Sequence, residues 1–134
     1  ANFIKLKSLY KSASASIVTE SIYSDGPGII TEKTLLAIAA KHPFMCIGHQ
    51  HIHKEIAERG FENYDEIFDL DYDVIESDFR LDAAIQMNLK TVTSNNFDVE
   101  VAKEKAERNY DFLMNDYMQS IEDRARKQLR EIIR

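Results

Sequence analysis

The chain has 134 residues, of which 44% are hydrophobic and 30% are charged, and its formal net charge is −6. Its four glycines, two prolines and single cysteine exclude a disordered chain, a collagen-like chain and an internal disulfide framework. The acidic balance argues against a protein that binds nucleic acid through bulk positive charge, and no apolar run is long enough to span a membrane. We therefore expect one soluble domain in the cytoplasm, with no nucleic-acid or membrane partner.

The first half of the chain predicts one α/β unit. In chain order its elements are a helix at 3–12, a strand at 15–22, a loop at Gly26-Pro27-Gly28, a helix capped by Thr31 and ended by Pro43, a strand at 44–47, and a helix at 51–59 stopped by Gly60. The second strand is a continuous apolar run, which is typical of a strand buried on both faces. The order strand, helix, strand predicts a parallel pair with a right-handed crossover.

The second half predicts helices. An acidic and aromatic segment at 61–75 has rings able to pin it to the core, a helix follows at 76–91, and the pattern breaks at 91–96. From 98 to 134 apolar residues recur every three or four positions without Gly or Pro, which predicts a long amphipathic helix or two abutting helices. The fold class is thus α/β, with a small parallel core at 1–96 and a helical extension at 97–134.

That extension is too long for a compact domain of this size, because 37 helical residues would span about 55 Å. Two outcomes would remove its large apolar residues from water. The helix breaks near Asn115 or Ser120 and folds back, or its distal part packs against a second copy of the chain. Because no Gly or Pro marks a break, we expect a homo-oligomer formed through this helix.

Alternating histidines at His49, His51 and His53 are one candidate metal site. Three imidazoles at alternate positions converge only on a strand, and Gly48 marks the end of the strand here. We expect a solvated cluster near a helix N-terminus, and no metal and no cofactor. Cys46 lies in an apolar run, which indicates a buried, inert thiol rather than a nucleophile.

The acidic stretch 69–73 has the spacing with which a calcium-binding loop begins. Such a loop needs Gly at its sixth position and Glu at its twelfth, where this chain has Val74 and Arg80. The pattern therefore excludes an EF-hand, and a paired-carboxylate site stays open as an alternative.

The strand end at Thr19-Glu20 and the helix start at Thr31-Glu32-Lys33 form the strongest candidate site. Free amides at a helix N-terminus attract phosphate, and Lys33 can add a positive charge. Glu32 could accept hydrogen bonds from sugar or ribose hydroxyls. In α/β sheets, ligands bind beyond the carboxyl ends of parallel strands. The alternative is an ordinary capped helix with surface charges.

A resemblance extends this interpretation. The stretches 17–20, 30–34 and 39–44 resemble a family of phage and marine-environmental proteins, with further matches at Gly60-Phe61, Asp69-x-x-Tyr72-Asp73 and Arg80-Leu81. That family is similar to the donor-binding half of GT-B glycosyltransferases of the fucosyltransferase and exostosin types. The resemblance implies a Rossmann-like core and a nucleotide-sugar donor. It also implies that Glu32 contacts the ribose and that Lys33 lies near the phosphates.

The strand-end and helix-start arrangement together with this resemblance predicts a donor site comprising Thr19, Glu20, Thr31, Glu32 and Lys33. No catalytic residue is identified, because in GT-B enzymes the base commonly comes from the other half, and this chain has room for only one half. Whether the chain is itself an enzyme therefore stays open. The alternative function is a non-catalytic phage protein that uses the α/β core and the long helix for assembly.

Overall fold

A computed structural model of the protein describes residues 15–20, 30–94 and 98–133. In chain order the elements are strand β1 (Ser16–Thr19), helix α1 (Glu32–Ala39), strand β2 (Phe44–Ile47), helix α2 (Ile52–Glu58), a 3-10 turn (Asp71–Val74), helix α3 (Ser77–Ser94), helix α4 (Val99–Phe112), a π-helical segment (Leu113–Tyr117) and helix α5 (Met118–Ile133). The fold is mixed α/β and mostly helical. The helix predicted at 3–12 and the loop predicted at 26–28 lie outside the described residues.

The two strands form a parallel sheet, as the strand–helix–strand order predicted. Ser16 lies opposite Phe44, and Thr19 lies opposite Ile47. All four residues of β2 are buried, which confirms a strand covered on both faces. The backbone N–H of Glu20 donates to the carbonyl oxygen of Ile47 at 2.8 Å, which extends the pairing one residue past β1. The carboxyl ends of both strands therefore lie at one edge of the sheet.

Helix α1 begins and ends with side-chain and backbone caps. The hydroxyl of Thr31 accepts a hydrogen bond from the N–H of Lys33 at 3.3 Å, which confirms the predicted cap. At the other end Lys41 has a φ of 58°, and the N–H of His42 donates to the carbonyl oxygen of Ala37 at 3.1 Å. This backbone pattern ends the helix before Pro43 is reached.

The acidic and aromatic segment at 61–75 is fixed to the core by its rings, as predicted. Its buried apolar residues are Phe61, Tyr64, Ile67, Phe68 and Tyr72. Helix α3 follows and continues to Ser94, three residues past the predicted helix end at 91 and inside the predicted break at 91–96. Nothing at 91–94 is a Gly or Pro, and the chain simply extends its helical hydrogen bonds by another turn.

The C-terminal helix runs from 99 to 133 and changes only its hydrogen-bond pattern at the π-helical segment. Helix α4 contributes the buried residues Ala102, Ala106 and Asn109 to the body, and Leu113 continues that face. The chain stays helical through Asn115 and Ser120 and no residue of α5 is buried, so the fold-back that was the alternative to self-association does not form. Helix α5 projects from the body instead. None of the helices in the described parts of the chain has the length and apolar character needed to cross a membrane.

Candidate functional site at the carboxyl edge of the sheet

The carboxylate of Glu20 joins the end of β1 to the start of α1. The side chain is 2% exposed and accepts hydrogen bonds from the Thr31 hydroxyl, from the Thr31 N–H at 3.3 Å and from the Thr34 hydroxyl at 2.6 Å. A negative charge at a helix N-terminus is favourable because the first amides of the helix carry partial positive charge. Glu20 therefore fixes where α1 begins, which makes it an internal partner of the helix.

Gly48 makes this arrangement sterically possible. It follows β2 at the same edge of the sheet, and a Cβ atom at this position would lie 3.0 Å from Cβ of Glu20 and 3.1 Å from Cδ1 of Ile52. A side chain there would push the Glu20 carboxylate away from α1. Because Gly48 has no side chain, the residue after β2 can lie close to Glu20, the residue after β1.

Glu32 and Lys33 occupy the first turn of α1. The Lys33 ammonium group donates to the carbonyl oxygen of Thr19 at 3.3 Å, so it lies across the carboxyl end of β1. Glu32 is exposed at the helix start. The structure therefore brings one cation and one exposed carboxylate to the sheet edge, with Thr19 and Glu20 directly beneath them.

A buried arginine lies under the same edge. The Arg80 side chain, from helix α3, donates through Nε to the carbonyl oxygen of Gly48 at 2.8 Å and through Nη1 to the carbonyl oxygen of Ile75 at 2.7 Å. Arg80 is 1% exposed, and its Nη2 atom has no hydrogen-bond partner within the described residues. This guanidinium ties the end of β2 to α3 and places a positive charge beside the carboxyl end of β2.

Asp73 is a buried carboxylate at the start of α2. Its Oδ2 atom accepts from the N–H of His53 at 3.0 Å, and its backbone carbonyl accepts from the N–H of His51 at 2.9 Å. Its Oδ1 atom is buried with no partner among the described residues. Asp73 therefore caps the start of α2 in the way that Glu20 caps the start of α1.

His49 lies among these charges. It is buried, and burial lowers the pKa of its imidazole because the charged form loses its hydration. The carboxylates of Asp73, Glu55 and Glu20 act in the opposite direction, and Arg80 adds to the lowering. The net shift keeps this imidazole neutral near pH 7, so it can accept or donate a hydrogen bond at the sheet edge.

The other two histidines have different roles, and the predicted solvated cluster is wrong. The ring of His53 is buried, where Nε2 accepts from the N–H of Cys46 at 3.1 Å and Nδ1 is hydrogen-bonded to Asn63 Oδ1 at 2.7 Å. His51 is exposed and has a φ of 65° at the start of α2. The helix turn separates the rings, so the three do not converge. No group of three or more metal-ligating side chains in the described ranges is placed to hold an ion.

The single cysteine is buried, as predicted. Burial raises the pKa of the Cys46 thiol to about 12, and a hydrogen bond with the Thr34 hydroxyl at 3.6 Å acts in the opposite direction. The thiolate is the nucleophilic form of cysteine, and it is not populated at neutral pH with such a pKa. Cys46 therefore contributes packing to the sheet.

Only one side of this sheet edge is predictable from the local sequence. The predicted residues Thr19, Glu20, Thr31, Glu32 and Lys33 lie together, linked by the bonds of Glu20 and Lys33. Four further residues at this edge were not assigned to the site from the sequence, namely Thr34, His49, Asp73 and Arg80. The position of Thr34 could be predicted from the sequence, since it lies about one helical turn after Thr31 and on the same face of α1. The others reach the edge only through tertiary packing.

The chain matches no protein-family model, no curated protein and no solved structure. A functional assignment therefore depends on the geometry of the sheet edge.

Proposed function

We propose that this chain is the nucleotide-sugar-binding half of a glycosyltransferase-like protein, built on a Rossmann-like core. The observation that carries the proposal is the contact between Lys33 Nζ and the carbonyl oxygen of Thr19. It places a cation at the carboxyl end of a parallel strand and at the N-terminus of the following helix. In α/β proteins this is where phosphate-containing ligands bind.

Each residue at the edge has a distinct role in this proposal. The Lys33 ammonium neutralises charge on the diphosphate, and the exposed Glu32 carboxylate accepts hydrogen bonds from ribose hydroxyls. Glu20 is a positioning residue, because its oxygens bond Thr31 and Thr34 and so hold α1 in place. Thr19 contributes its backbone carbonyl, which orients Lys33.

The buried Arg80 supports anion binding electrostatically. Its charge partly offsets the negative charge of the buried Glu20 and Asp73 carboxylates, which would otherwise repel a diphosphate more strongly. Because a guanidinium stays charged at all physiological pH values, this contribution is constant. A neutral His49 adds hydrogen-bonding capacity without adding charge.

Sugar transfer itself is assigned to no residue of this chain. In the proposed architecture the acceptor and the general base belong to a second α/β half. The proposal for this chain is therefore donor binding, with transfer as a property of the two halves together.

A titration with nucleoside diphosphates and common nucleotide sugars, followed by NMR and by calorimetry, tests the proposal. We expect saturable shifts at residues 31–34.

Glu32→Gln should weaken the binding of the nucleoside by about tenfold, the scale of one hydrogen bond to a charged group. The matched control is Glu58→Gln, an exposed glutamate on α2, which should change nothing. Shifts confined to residues away from the sheet edge would refute the site, and no binding of any nucleotide would refute the function.

A second candidate function is assembly without catalysis, and the projecting helix α5 favours it. Large apolar side chains on this helix are exposed, among them Ile121, Leu129 and Ile132. An assembly protein predicts a defined oligomer and no change of melting temperature with nucleoside diphosphates. The donor-binding half predicts a saturable increase in melting temperature, so one thermal-shift series separates the two functions.

A further inference from the structure

Helix α5 carries an exposed apolar face that continues the buried face of α4. The N–H of Met118 donates to the carbonyl oxygen of Leu113, so Met118 lies one π-helical turn beyond Leu113 along the helix. Residues three or four positions apart extend this line to the end of the helix. We call this set the distal stripe, and it consists of Met118, Ile121, Ala125, Leu129 and Ile132.

The distal stripe is narrow and long. Its five residues fall within an arc of about 80° and extend over about 21 Å of helix, by the rotation and rise of a regular α-helix. All five are exposed, with Ile121 41% and Leu129 56% exposed. A narrow stripe with spacings of three and four is the pattern by which one helix packs along another.

Charge is divided sharply along the continuous helix, from the end of α4 through α5. Residues 111–123 contain four acidic residues and no basic one, whereas residues 124–134 contain five basic residues and one acidic residue. The division falls between Asp123 and Arg124, close to the middle of the distal stripe. Two such helices side by side attract in one orientation and repel in the other.

We propose that a second copy of this chain packs antiparallel across the distal stripe. In that orientation the acidic segment of each helix lies against the basic segment of the other, and the two apolar stripes cover each other. A parallel arrangement would place acidic segment against acidic segment and basic segment against basic segment, and the repulsion between like charges makes it unfavourable. This inference does not depend on the nucleotide-binding proposal.

Sedimentation velocity of the full chain, from low to tens of micromolar concentration, is the first test. We expect a monomer–dimer equilibrium. Ile121→Glu should raise the dissociation constant by about tenfold or more, since it places a charge in the middle of the apolar contact. The matched control is Gln119→Glu, which makes the same change of charge on the opposite side of the helix and should have little effect. A full chain that stays monomeric, or an Ile121→Glu variant that dimerises normally, would overturn the proposal.

Charge variants test the pairing itself. The double variant Glu122→Lys with Asp123→Lys makes α5 net basic, and Arg126→Glu with Lys127→Glu makes it net acidic. Each variant alone should dimerise less than the wild type, and a mixture of the two should form a heterodimer. Circular dichroism of each variant shows whether α5 is still helical. A mixture that forms no heterodimer while both variants stay helical would rule out pairing by charge.

The orientation is measured with a spin label on Ile133→Cys, an exposed position near the helix end; the native Cys46 is buried. In an antiparallel dimer centred near residue 124, the two labels lie about 27 Å apart along the helix axis. A parallel dimer would bring them to about the interaxial distance, roughly 10 Å. The shorter distance would contradict the antiparallel arrangement.

Discussion

The helix that runs from 99 to 133 has the same spacing of apolar residues in both halves, but the halves differ in what they contact. The first half, formed by α4 and the π-helical segment, packs on the body through Ala102, Ala106 and Leu113. The second half, α5, has no buried residue. Apolar periodicity therefore predicts that a stretch is helical and which face seeks burial, but it does not predict whether the same chain supplies the surface.

The first half is held in register by polar contacts that the second half lacks. The Asn109 side chain accepts from the N–H of Glu62 at 2.8 Å and donates to the carbonyl oxygen of the same residue at 3.0 Å. Lys105 donates to the carbonyl oxygen of Asn63 at 2.6 Å. Gly60 leaves room for the Phe112 ring, since a Cβ there would lie 2.7 Å from it. The loop after α2 is thus shaped to receive this part of the helix.

The largest difference between the halves should appear when the same leucine truncation is made in each. Leu113→Ala removes a side chain that is 3% exposed, and it should lower the free energy of unfolding by about 2–5 kcal/mol. Leu129→Ala, at a position 56% exposed, should change it by less than about 0.5 kcal/mol in dilute, monomeric protein. Urea denaturation measures both. Equal losses would show that α5 packs on the body after all.

An enlarged alanine gives a second matched pair. Ala106→Leu overpacks the contact between α4 and the body, and we expect a loss of about 1–3 kcal/mol in the free energy of unfolding. Ala125→Leu adds apolar area to the exposed distal stripe, so it should leave unfolding unchanged and strengthen dimerisation. Denaturation and sedimentation measured on each variant separate the two effects. A stable Ala106→Leu variant would mean that the first half is loosely packed.

The smallest effect concerns the end of the anchored half. The Tyr117 hydroxyl accepts from Arg59 Nη1 at 2.9 Å, so Tyr117→Phe should lower the free energy of unfolding by about 0.5–1.5 kcal/mol. Tyr110→Phe is the control, because the ring that lies 4.6 Å from the Lys41 ammonium is kept. We expect no measurable change for this control. If thermal denaturation shows no difference between the two variants, the hydrogen bond of Tyr117 does not stabilise the contact between the helix and the body.

Much of the fold follows from local patterns in the sequence. The apolar run at 44–47, the Thr31 cap and the stop at Gly60 each depend on a few neighbouring residues, and the structure has all three. The overrun of α3 to Ser94 could not be predicted, because β-branched and polar residues weaken a helix without forbidding it. The end of α1 is a similar case, since Lys41 adopts a backbone conformation that is unusual for a residue with a side chain.

The candidate site was only half predictable for the same reason. Glu32 and Lys33 are adjacent in the sequence, and their position at a helix start can be inferred from Thr31. Arg80 and Asp73 reach the sheet edge from more than twenty residues further along the chain. Nothing in their local sequence specifies that Arg80 bonds the carbonyl oxygen of Gly48. Only tertiary packing brings them together.

The π-helical segment has the geometry of a single residue inserted into a regular helix. If the same residues formed a regular α-helix with no π-helical turn, each residue of α5 would be rotated about the helix axis by about 100° from its present position relative to α4. Deleting the exposed Asp116 should therefore yield an uninterrupted α-helix in which Leu113 and Ile121 still lie on the same side. Adding one alanine after Asp116 should turn the distal stripe away. With one residue fewer at this point, the buried face of α4 and the distal stripe of α5 would still lie on the same side of the helix. With one residue more, they would not.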